Sequence, residues 1–256
     1  MTLSIIGAGA VATCLSPWLQ KSGHEIIAVA SRSIHSAEIL AKDLGCNAVD
    51  GIENLPKADA VLICISDDQL AAVASKAVRL FPESLLIHTS GGQGLGVFKG
   101  REHNCAVMYP LQTFTKGVEL NVSQIPFFVE ASDEQAMEGV KGLAGSISRT
   151  VVELDSDDRA KLHVAAVFAS NFANHCYSLA SELMERDKFN WKWLLPLIDE
   201  TARKIHSVTP KSAQTGPAVR RDYVVMESEL KMLEKDAHLA EIYKMMSRSI
   251  INLQQN

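Results

Sequence analysis

Three small residues near the start of the chain constrain its fold more than any other feature. Gly7, Gly9 and Ala12 follow the spacing G-x-G-x-x-A directly after the apolar run Leu3–Ile6, where a helical stretch begins. Gly7 permits a tight turn, Gly9 allows close approach to the backbone, and Ala12 lets the helix pack on the strand. The free N–H groups and positive dipole end of that helix favour an anion. The pattern predicts a dinucleotide site whose pyrophosphate contacts Gly7, Ala8, Gly9, Ala10 and Val11.

Beyond this turn, the first half of the chain alternates short apolar runs with helical stretches, which predict strands and helices in turn. The predicted strands are Leu3–Ile6, Glu25–Ala30, Ala60–Ile65, Leu85–His88, Ala106–Tyr109, Pro126–Glu130 and Thr150–Glu153. The predicted helices are Ala10–Lys21, Ser33–Leu44, Asp68–Leu80 and Asp133–Ser146. This alternation favours βαβ units and a mainly parallel, doubly wound sheet of the Rossmann type.

The composition changes after Asp155, and the rest of the chain is nearly all helical in pattern. The predicted helices there are Asp157–Arg186, Trp191–His206, Ala218–Glu234 and Leu239–Leu253. A chain of 256 residues accommodates two domains at about 100–200 residues each. We therefore predict an α/β cofactor-binding domain over residues 1–155 and an all-α substrate and dimerisation domain over residues 156–256.

Charge and composition exclude several classes of function. A net charge of −5 and 6% aromatic residues argue against nucleic-acid binding. No apolar stretch reaches the roughly 18 residues that span a bilayer, so we expect no membrane segment. The start of the chain lacks the basic region of a secretory leader. The five scattered cysteines form no C-x-x-C pair, which predicts a reducing, cytoplasmic location and no metal site.

The end of the second predicted strand indicates which dinucleotide is bound. A site for NAD usually has an acidic residue there, whereas this sequence has Ser31, Arg32 and Ser33. The guanidinium of Arg32 can pair with a 2′-phosphate, and the serines can donate hydrogen bonds. The alternative is an exposed loop arginine beside a serine that caps the next helix. We predict NADP as the cofactor.

Two further serines follow predicted strands at the same edge of the sheet. Ser66 and Ser90 are predicted cofactor contacts, although serines at such positions more often cap helices. His88 ends its strand close by, and the sequence favours a structural role for it over a catalytic one.

The long helix after Asp155 carries a polar stripe. The residues His163, Val167, Ser170, Asn171 and Asn174 recur at helical spacing and share one face. Buried polar groups need partners, so the stripe should face a wet cleft or a partner molecule. A solvated face is the alternative. The flanking residues are apolar nearly all round, which predicts a helix buried within its domain.

A turn in the second half supplies the last candidate. Thr215, Gly216 and Pro217 mark a helix start, and Arg220 and Asp222 follow within its first turns. Arg220 would either bind an anionic substrate or form a surface pair with Asp222, and the sequence favours neither.

Taken together, these motifs resemble a family of NADP oxidoreductases that joins an N-terminal Rossmann domain to a C-terminal helical domain of unknown function. The motifs that carry the resemblance are Gly7-x-Gly9-x-x-Ala12, Ser31-Arg32-Ser33, His88-Thr89-Ser90-Gly91, Tyr109-Pro110-Leu111-Gln112-Thr113-Phe114, and Thr215-Gly216-Pro217 with Arg220 and Asp222. The chain departs from the family pattern at Tyr109, where His is common, and at Arg221, where Gly is commoner. The first half is also similar to pyrroline-5-carboxylate reductases and deazaflavin-dependent NADP reductases, and the helical half to the 6-phosphogluconate dehydrogenase group.

The resemblance implies a homodimer formed through the helical domain. The β-hydroxyacid dehydrogenases of the wider group carry a Lys with an Asn four residues later on the equivalent helix. Here Ala165 follows Lys161 and Val167 follows His163 at that spacing, so this mechanism is not expected.

The leading hypothesis is an NADP(H)-dependent oxidoreductase that transfers a hydride to or from a small carbonyl, imine or alcohol between its domains. His163 is the predicted proton donor, because an imidazole titrates near neutral pH. Asn171 would orient the substrate, Gln112 or Arg220 would hold its polar end, and Tyr109 would contact it. One rival is a non-catalytic NADP(H) sensor or regulatory protein. The other is an interaction protein whose glycine loop no longer admits a pyrophosphate.

Overall fold

The computed structural model describes residues 1–255. The chain forms two compact units, Met1–Asn171 and the residues from Phe172 onward. The predicted assignment of separate roles to residues 1–155 and 156–256 stays a prediction. Along residues 1–255, none of the helices combines the length and apolar character needed to span a bilayer.

The first unit is built on an eight-stranded sheet with the order β3-β2-β1-β4-β5-β6-β7-β8. The strands are β1 (Thr2–Ile6), β2 (Glu25–Ala30), β3 (Asn47–Val49), β4 (Ala60–Ile63), β5 (Leu85–His88), β6 (Cys105–Pro110), β7 (Phe127–Ala131) and β8 (Val151–Glu153). All neighbouring pairs are parallel except β6 and β7, which pair antiparallel with Pro110 opposite Phe127. The predicted Rossmann-type fold is confirmed.

The central strands are buried on both faces, as their continuous apolar sequences predict. Every residue of β4, β5 and β6 is buried, and two clusters of apolar side chains cover the two faces of the sheet. The short edge strand β3 was not predicted, because three partly exposed residues carry no clear hydrophobic pattern.

Five α-helices belong to the first unit: α1 (Ala10–Lys21), α2 (Ile34–Leu44), α3 (Asp67–Leu80), α4 (Glu134–Ile147) and α5 (Ser156–Ala166). Their ends follow local capping chemistry. Ser33 caps α2 by accepting from the N–H of Ser36, and Gly45 ends that helix with φ +66°. Asp133 caps α4 in the same way.

The strand order reverses between β1 and β4, and this reversal creates a crevice beyond their carboxyl ends. The glycine turn follows β1, and Cys64 follows β4 beside it. Gly7 N donates to Ala30 O at the end of β2, at 2.7 Å, and Cys64 N donates to Ile6 O at the end of β1, at 2.8 Å.

The long predicted helix Asp157–Arg186 is helical throughout but not uniform. After α5 the chain continues as a π-helical segment, Val167–Phe172, before returning to α geometry. The expectation that this helix is buried on nearly all sides is wrong: in α5 the one buried residue is Arg159, and Val164 is 58% exposed.

The second unit is helical, with α6 (Ala173–Arg186), α7 (Leu195–Lys204), α8 (Pro210–Ala213), α9 (Pro217–Arg220), α10 (Tyr223–Met232) and α11 (Ala237–Leu253). The predicted single helix Ala218–Glu234 is wrong. Arg221 adopts the left-handed conformation, with φ +54°, and Asp222 caps a new helix by accepting from Val225 N. Glycine adopts that conformation at lower cost than arginine does.

Candidate functional site

A cavity of 1310 Å³ occupies the crevice of the first unit. It is larger than the roughly 300–1,000 Å³ typical of pockets for small ligands, so it has room for an extended one. Its wall begins at the glycine turn and continues past the ends of β2, β4 and β6 to α5 and the π-helical segment.

The glycine turn fits a pyrophosphate. A Cβ on Gly7 would lie 2.2 Å from the carbonyl oxygen of Cys64, and φ is +108°, so only glycine fits. A Cβ on Gly9 would meet nothing closer than that oxygen, at 4.0 Å, so the space beside Gly9 is open toward the cavity. Ala8, Ala10 and Val11 complete the wall, and α1 begins there with unpaired N–H groups.

The predicted residues at the end of β2 also reach the cavity. Ser31, Arg32 and Ser33 line it, and Arg32 is exposed and forms no ion pair within residues 1–255. The Ser33 hydroxyl already accepts from Ser36 N at 3.3 Å, but its proton remains available to a ligand. Ser66 lines the cavity at the start of α3, and its side chain does not cap that helix.

His88 is the last residue of β5, and Ser90 lies in the loop that follows. Neither residue lines the cavity, although Thr89 between them does. The Ser90 hydroxyl accepts from the N–H groups of Gly92 and Gln93, at 3.2 and 3.0 Å. His88 is fully buried, and its Nδ1 accepts from Ser90 N. Burial, followed by the nearby charge of Arg159, lowers the pKa of His88 to about 4. His88 is therefore neutral near pH 7 and holds the loop, in agreement with its predicted structural role.

The far part of the cavity contains a tyrosine and histidine pair. Tyr109 Oη and His163 Nδ1 are 3.1 Å apart, and the two rings meet edge to face. Tyr109 comes from the end of β6 and is 8% exposed, and His163 comes from α5. Burial raises the pKa of Tyr109, so its hydroxyl stays protonated at neutral pH.

Two other predicted residues line this part of the cavity. Asn171 lies on the π-helical segment with Val167 and Ser170, and Gln112 follows β6. The Gln112 side-chain oxygen accepts from Thr113 N at 2.8 Å, which leaves its NH₂ group for a ligand.

Three of the predicted polar residues, Asn174, Arg220 and Asp222, lie in the second unit. Asn174 is on α6 and is not among the residues of the cavity wall. Arg220 is the last residue of α9 and is exposed, and Asp222 serves as a helix cap. The role of Arg220 toward a substrate stays a prediction.

The structure adds two residues that the sequence analysis did not identify. Lys76 reaches the cavity from α3, where Gln69, Val73 and Lys76 follow helical spacing, and this spacing was a usable signal. Arg159 is fully buried and pairs with Glu130. Nothing in the acidic stretch around Arg159 indicated a buried charge.

The strand order and the glycine turn define the first unit as a Rossmann-type α/β fold. A helical unit follows it. Sequence comparison finds two family matches, and the boundary between them does not coincide with the boundary between the two units. Residues 2–92 match the family described as "NADP oxidoreductase coenzyme F420-dependent", and residues 125–250 match a domain of unknown function, DUF2520. No curated protein gave a significant match.

Solved structures extend the comparison over the whole chain. A putative NADP oxidoreductase from Bacteroides fragilis is 38% identical, with a TM-score of 0.93 and 98% of each chain covered. A protein from Thermotoga maritima is 25% identical, with a TM-score of 0.74 over 99% of this chain and 98% of that one. A 1-pyrroline-5-carboxylate reductase from Streptococcus pyogenes, 15% identical with a TM-score of 0.63 over 100% and 99%, shares the fold.

The chain belongs to the NADP oxidoreductase family represented by the Bacteroides fragilis protein. The resemblance predicted from the sequence motifs is thereby confirmed, and NADP is the cofactor of this family.

Proposed function

We propose that this chain is an NADP(H)-dependent oxidoreductase acting on a small carbonyl, imine or alcohol. One observation carries the proposal: the glycine turn, Arg32 and the pair of Tyr109 and His163 line the same cavity. A phosphate-binding end and an acid–base end are both needed for reduction by a dinucleotide, and a single 1310 Å³ cavity accommodates both.

The residues at the phosphate end bind and select the cofactor. The backbone around Gly7 and Gly9 and the start of α1 would hold the pyrophosphate. Ser31, Arg32 and Ser33 would hold the 2′-phosphate, which distinguishes NADP from NAD. When bound, the cofactor supplies or accepts the hydride.

The residues at the other end would handle the substrate. His163 would give a proton to the oxygen or nitrogen of the substrate, and Asn171 and Gln112 would orient it with their amide groups. The proposal also includes the prediction that Arg220 holds the polar end of the substrate, which both parts of the chain would then contact. A non-catalytic sensor would need no proton donor in the cavity, so the position of His163 favours an enzyme.

The cofactor assignment is tested by fluorescence titration with NADPH and NADH. Loss of a charge-assisted hydrogen bond costs about 1.5–3 kcal/mol, so Arg32→Ala should weaken NADPH binding about 10- to 150-fold. Its binding of NADH should change less than twofold. Arg149→Ala, an exposed arginine away from the cavity wall, is the matched control and should bind NADPH normally. Equal loss for both dinucleotides in Arg32→Ala would contradict the assignment.

The activity is tested by following NADPH oxidation with panels of oxo-acids, aldehydes and cyclic imines. A proton donor contributes about 10²–10⁴-fold, so His163→Ala should lose at least 100-fold in kcat while still binding NADPH. Tight binding of NADPH without turnover of any carbonyl or imine would support the sensor instead.

We also propose that the helical unit forms a homodimer. In its described residues, three are buried: Ala218, Leu239 and Ser247. A unit of this size needs a larger core to be stable. Large apolar side chains are exposed on it instead, including Val224 at 80% and Met232 at 79%. Such a surface is typical of one that a partner covers.

The dimer is tested by sedimentation equilibrium at micromolar concentration. Val224→Glu combined with Met232→Glu should shift the protein toward monomer, because two buried carboxylates oppose association. Ile39→Glu, on α2 of the first unit and 53% exposed in the wild type, is the control and should leave the dimer intact. A wild-type monomer at these concentrations would refute the proposal.

A cytoplasmic location is the last part of the proposal. All five cysteines are free, and burial raises the pKa of the Cys64 and Cys105 thiols to about 12 and about 11. Thiols of this kind form little thiolate and suit a reducing compartment. Titration of the native, freshly isolated protein after unfolding should find five reactive thiols.

A further inference from the structure

The hydrogen bond between Tyr109 and His163 joins residues 54 positions apart and occupies one ring nitrogen of the imidazole. The other nitrogen, Nε2, has no partner within residues 1–255, and His163 lines the cavity. Which ring nitrogen of a histidine carries the proton is set by the bond that the other one makes. Tyr109 is therefore positioned to control the orientation of the His163 ring toward a ligand.

We propose that Tyr109 is a positioning residue that orients His163, rather than a contact for the substrate. This proposal rests on the proposed function, in which His163 is the proton donor. A carboxylate at this place would only accept a hydrogen bond and would add a negative charge. A phenol both donates and accepts, so it stays bonded to Nδ1 in the charged and the neutral state of the imidazole.

The proton transfer then balances as follows. His163 begins as the imidazolium, with Nδ1–H donating to Tyr109 Oη. The proton on Nε2 moves to the carbonyl oxygen or imine nitrogen of the substrate, and the electron pair of the broken N–H bond stays on Nε2. The substrate carbon would receive a hydride, and NADPH, the reductant of the proposed function, would supply it when bound. The bond from Nδ1 to Oη is unbroken throughout, so the ring does not turn during the step.

A neighbouring loop holds the Tyr109 and His163 side chains against each other. The loop from His88 to Gly94 packs against them, and a Cβ on Gly91 would lie 2.7 Å from His163 Nδ1 and from two carbons of the Tyr109 ring. The φ of Gly91 is not in the left-handed region, so the requirement for glycine is one of space. A methyl group at this position would separate the two side chains.

Buried Arg159 fixes that loop. Its Nη2 donates to Gln93 O at 2.7 Å, and its Nη1 pairs with Glu130 Oε2. Ser156 donates to the same carboxylate, and its Oγ would be 2.3 Å from a Cβ on Gly94. The loop that packs against Tyr109 and His163 is therefore held in place by the ion pair and hydrogen bonds of Arg159.

The test that does not depend on activity is nitrogen NMR of the histidine rings in the cofactor-free protein. The His163 signals are assigned by their loss in His163→Gln. In the wild type we expect Nδ1 of His163 to have the chemical shift of a hydrogen-bonded nitrogen. Tyr109→Phe, which keeps the ring and removes the hydroxyl, should give the averaged pattern of a solvated imidazole, and Gly91→Ala should do the same. Unchanged signals in both variants would overturn the proposal.

The kinetic test is a double-mutant cycle. A lost hydrogen bond from a charged imidazolium, worth about 1.5–3 kcal/mol, corresponds to a fall in kcat of about 10- to 150-fold in Tyr109→Phe. If Tyr109 acts through His163, the double variant with His163→Ala should be no slower than His163→Ala alone. Additive losses would mean that Tyr109 contacts the substrate directly. Tyr177→Phe, on α6 and 38% exposed, is the control and should retain full activity.

The two proposals fail in different ways. If no substrate is found but the NMR pattern depends on Tyr109, the positioning role of Tyr109 is supported and the proposed reaction is refuted. If turnover is found and lost in His163→Ala, but Tyr109→Phe changes neither kcat nor the NMR pattern, the reaction stands and the positioning role falls.

Discussion

Gly7 offers the sharpest test of how the crevice is built. An alanine there would place its Cβ 2.2 Å from the carbonyl oxygen of Cys64, on a backbone with φ +108°. The turn cannot move away freely, because Gly7 N donates to Ala30 O at 2.7 Å. The carbonyl cannot move freely either, because it directly follows β4, the neighbour of β1 in the middle of the sheet.

The expected loss of stability has two parts. A side chain in a backbone region that favours glycine costs about 1–3 kcal/mol. Forcing a methyl group into packed surroundings costs about 1–3 kcal/mol more. Gly7→Ala should therefore reduce the free energy of unfolding by about 2–6 kcal/mol, a large fraction of the roughly 5–15 kcal/mol of an ordinary domain.

The assay is urea unfolding followed by circular dichroism, with Gly9→Ala as the matched control. Its Cβ would meet only open space, 4.0 Å from Cys64 O, so the loss of stability should be that of an alanine at an N-cap, no more than about 1 kcal/mol. Because that space faces the cavity, Gly9→Ala should weaken NADPH binding at least tenfold. A Gly7→Ala variant as stable as the wild type would refute this account of the turn.

Two further predictions concern stability. The unfolded chain protonates His88 near its ordinary pKa of 6.5, but the folded chain does so only near about 4, so folding weakens as pH falls through this window, by up to about 3 kcal/mol. Between pH 7.5 and 4.5, the urea midpoint of His88→Gln should fall less than that of the wild type. The midpoint of His35→Gln, a change at an exposed histidine, should fall as much as that of the wild type. Asp133 caps α4 and accepts from Asn104 N at 2.7 Å, so Asp133→Ala should cost about 1–2 kcal/mol at pH 7. Glu134→Ala, one residue later, should cost less than half as much, and equal losses would argue against the cap.

Local chemistry made much of the first unit predictable. Helix α1 was predicted at its observed bounds, Ala10–Lys21, and β2 and β5 likewise. The start of α2 at Ser33 and its end at Gly45 follow from a hydroxyl acceptor and a left-handed glycine, which act over three or four residues. Signals of this range can be read without knowing the tertiary structure.

Features that depend on distant residues were not predictable in the same way. The hydrogen bond between Tyr109 and His163 exists because the end of β6 and the face of α5 meet in space, and no local pattern encodes that. The antiparallel pairing of β7 with β6 likewise depends on the path of residues 111–126, which bring the chain back to the same edge of the sheet. The left-handed Arg221, an unfavourable residue for that conformation, concealed the break between α9 and α10. The apolar residues that flank the polar stripe of α5 and the π-helical segment suggested burial, but the same pattern occurs in helices that a second chain covers.

The reversal at β7 has a consequence for how this family can change. The segment of residues 111–126 leaves the sheet at Pro110 and returns at Phe127, its direct partner, so both ends are fixed at the same edge. Residues could be inserted or removed between Thr115 and Glu119, where the segment is exposed, without shifting any strand and at little entropic expense. The cavity wall at Leu111, Gln112, Thr113 and Phe114 would be rebuilt each time. We therefore expect that relatives diverge in substrate preference first through the length of this segment, while the cofactor end stays constant.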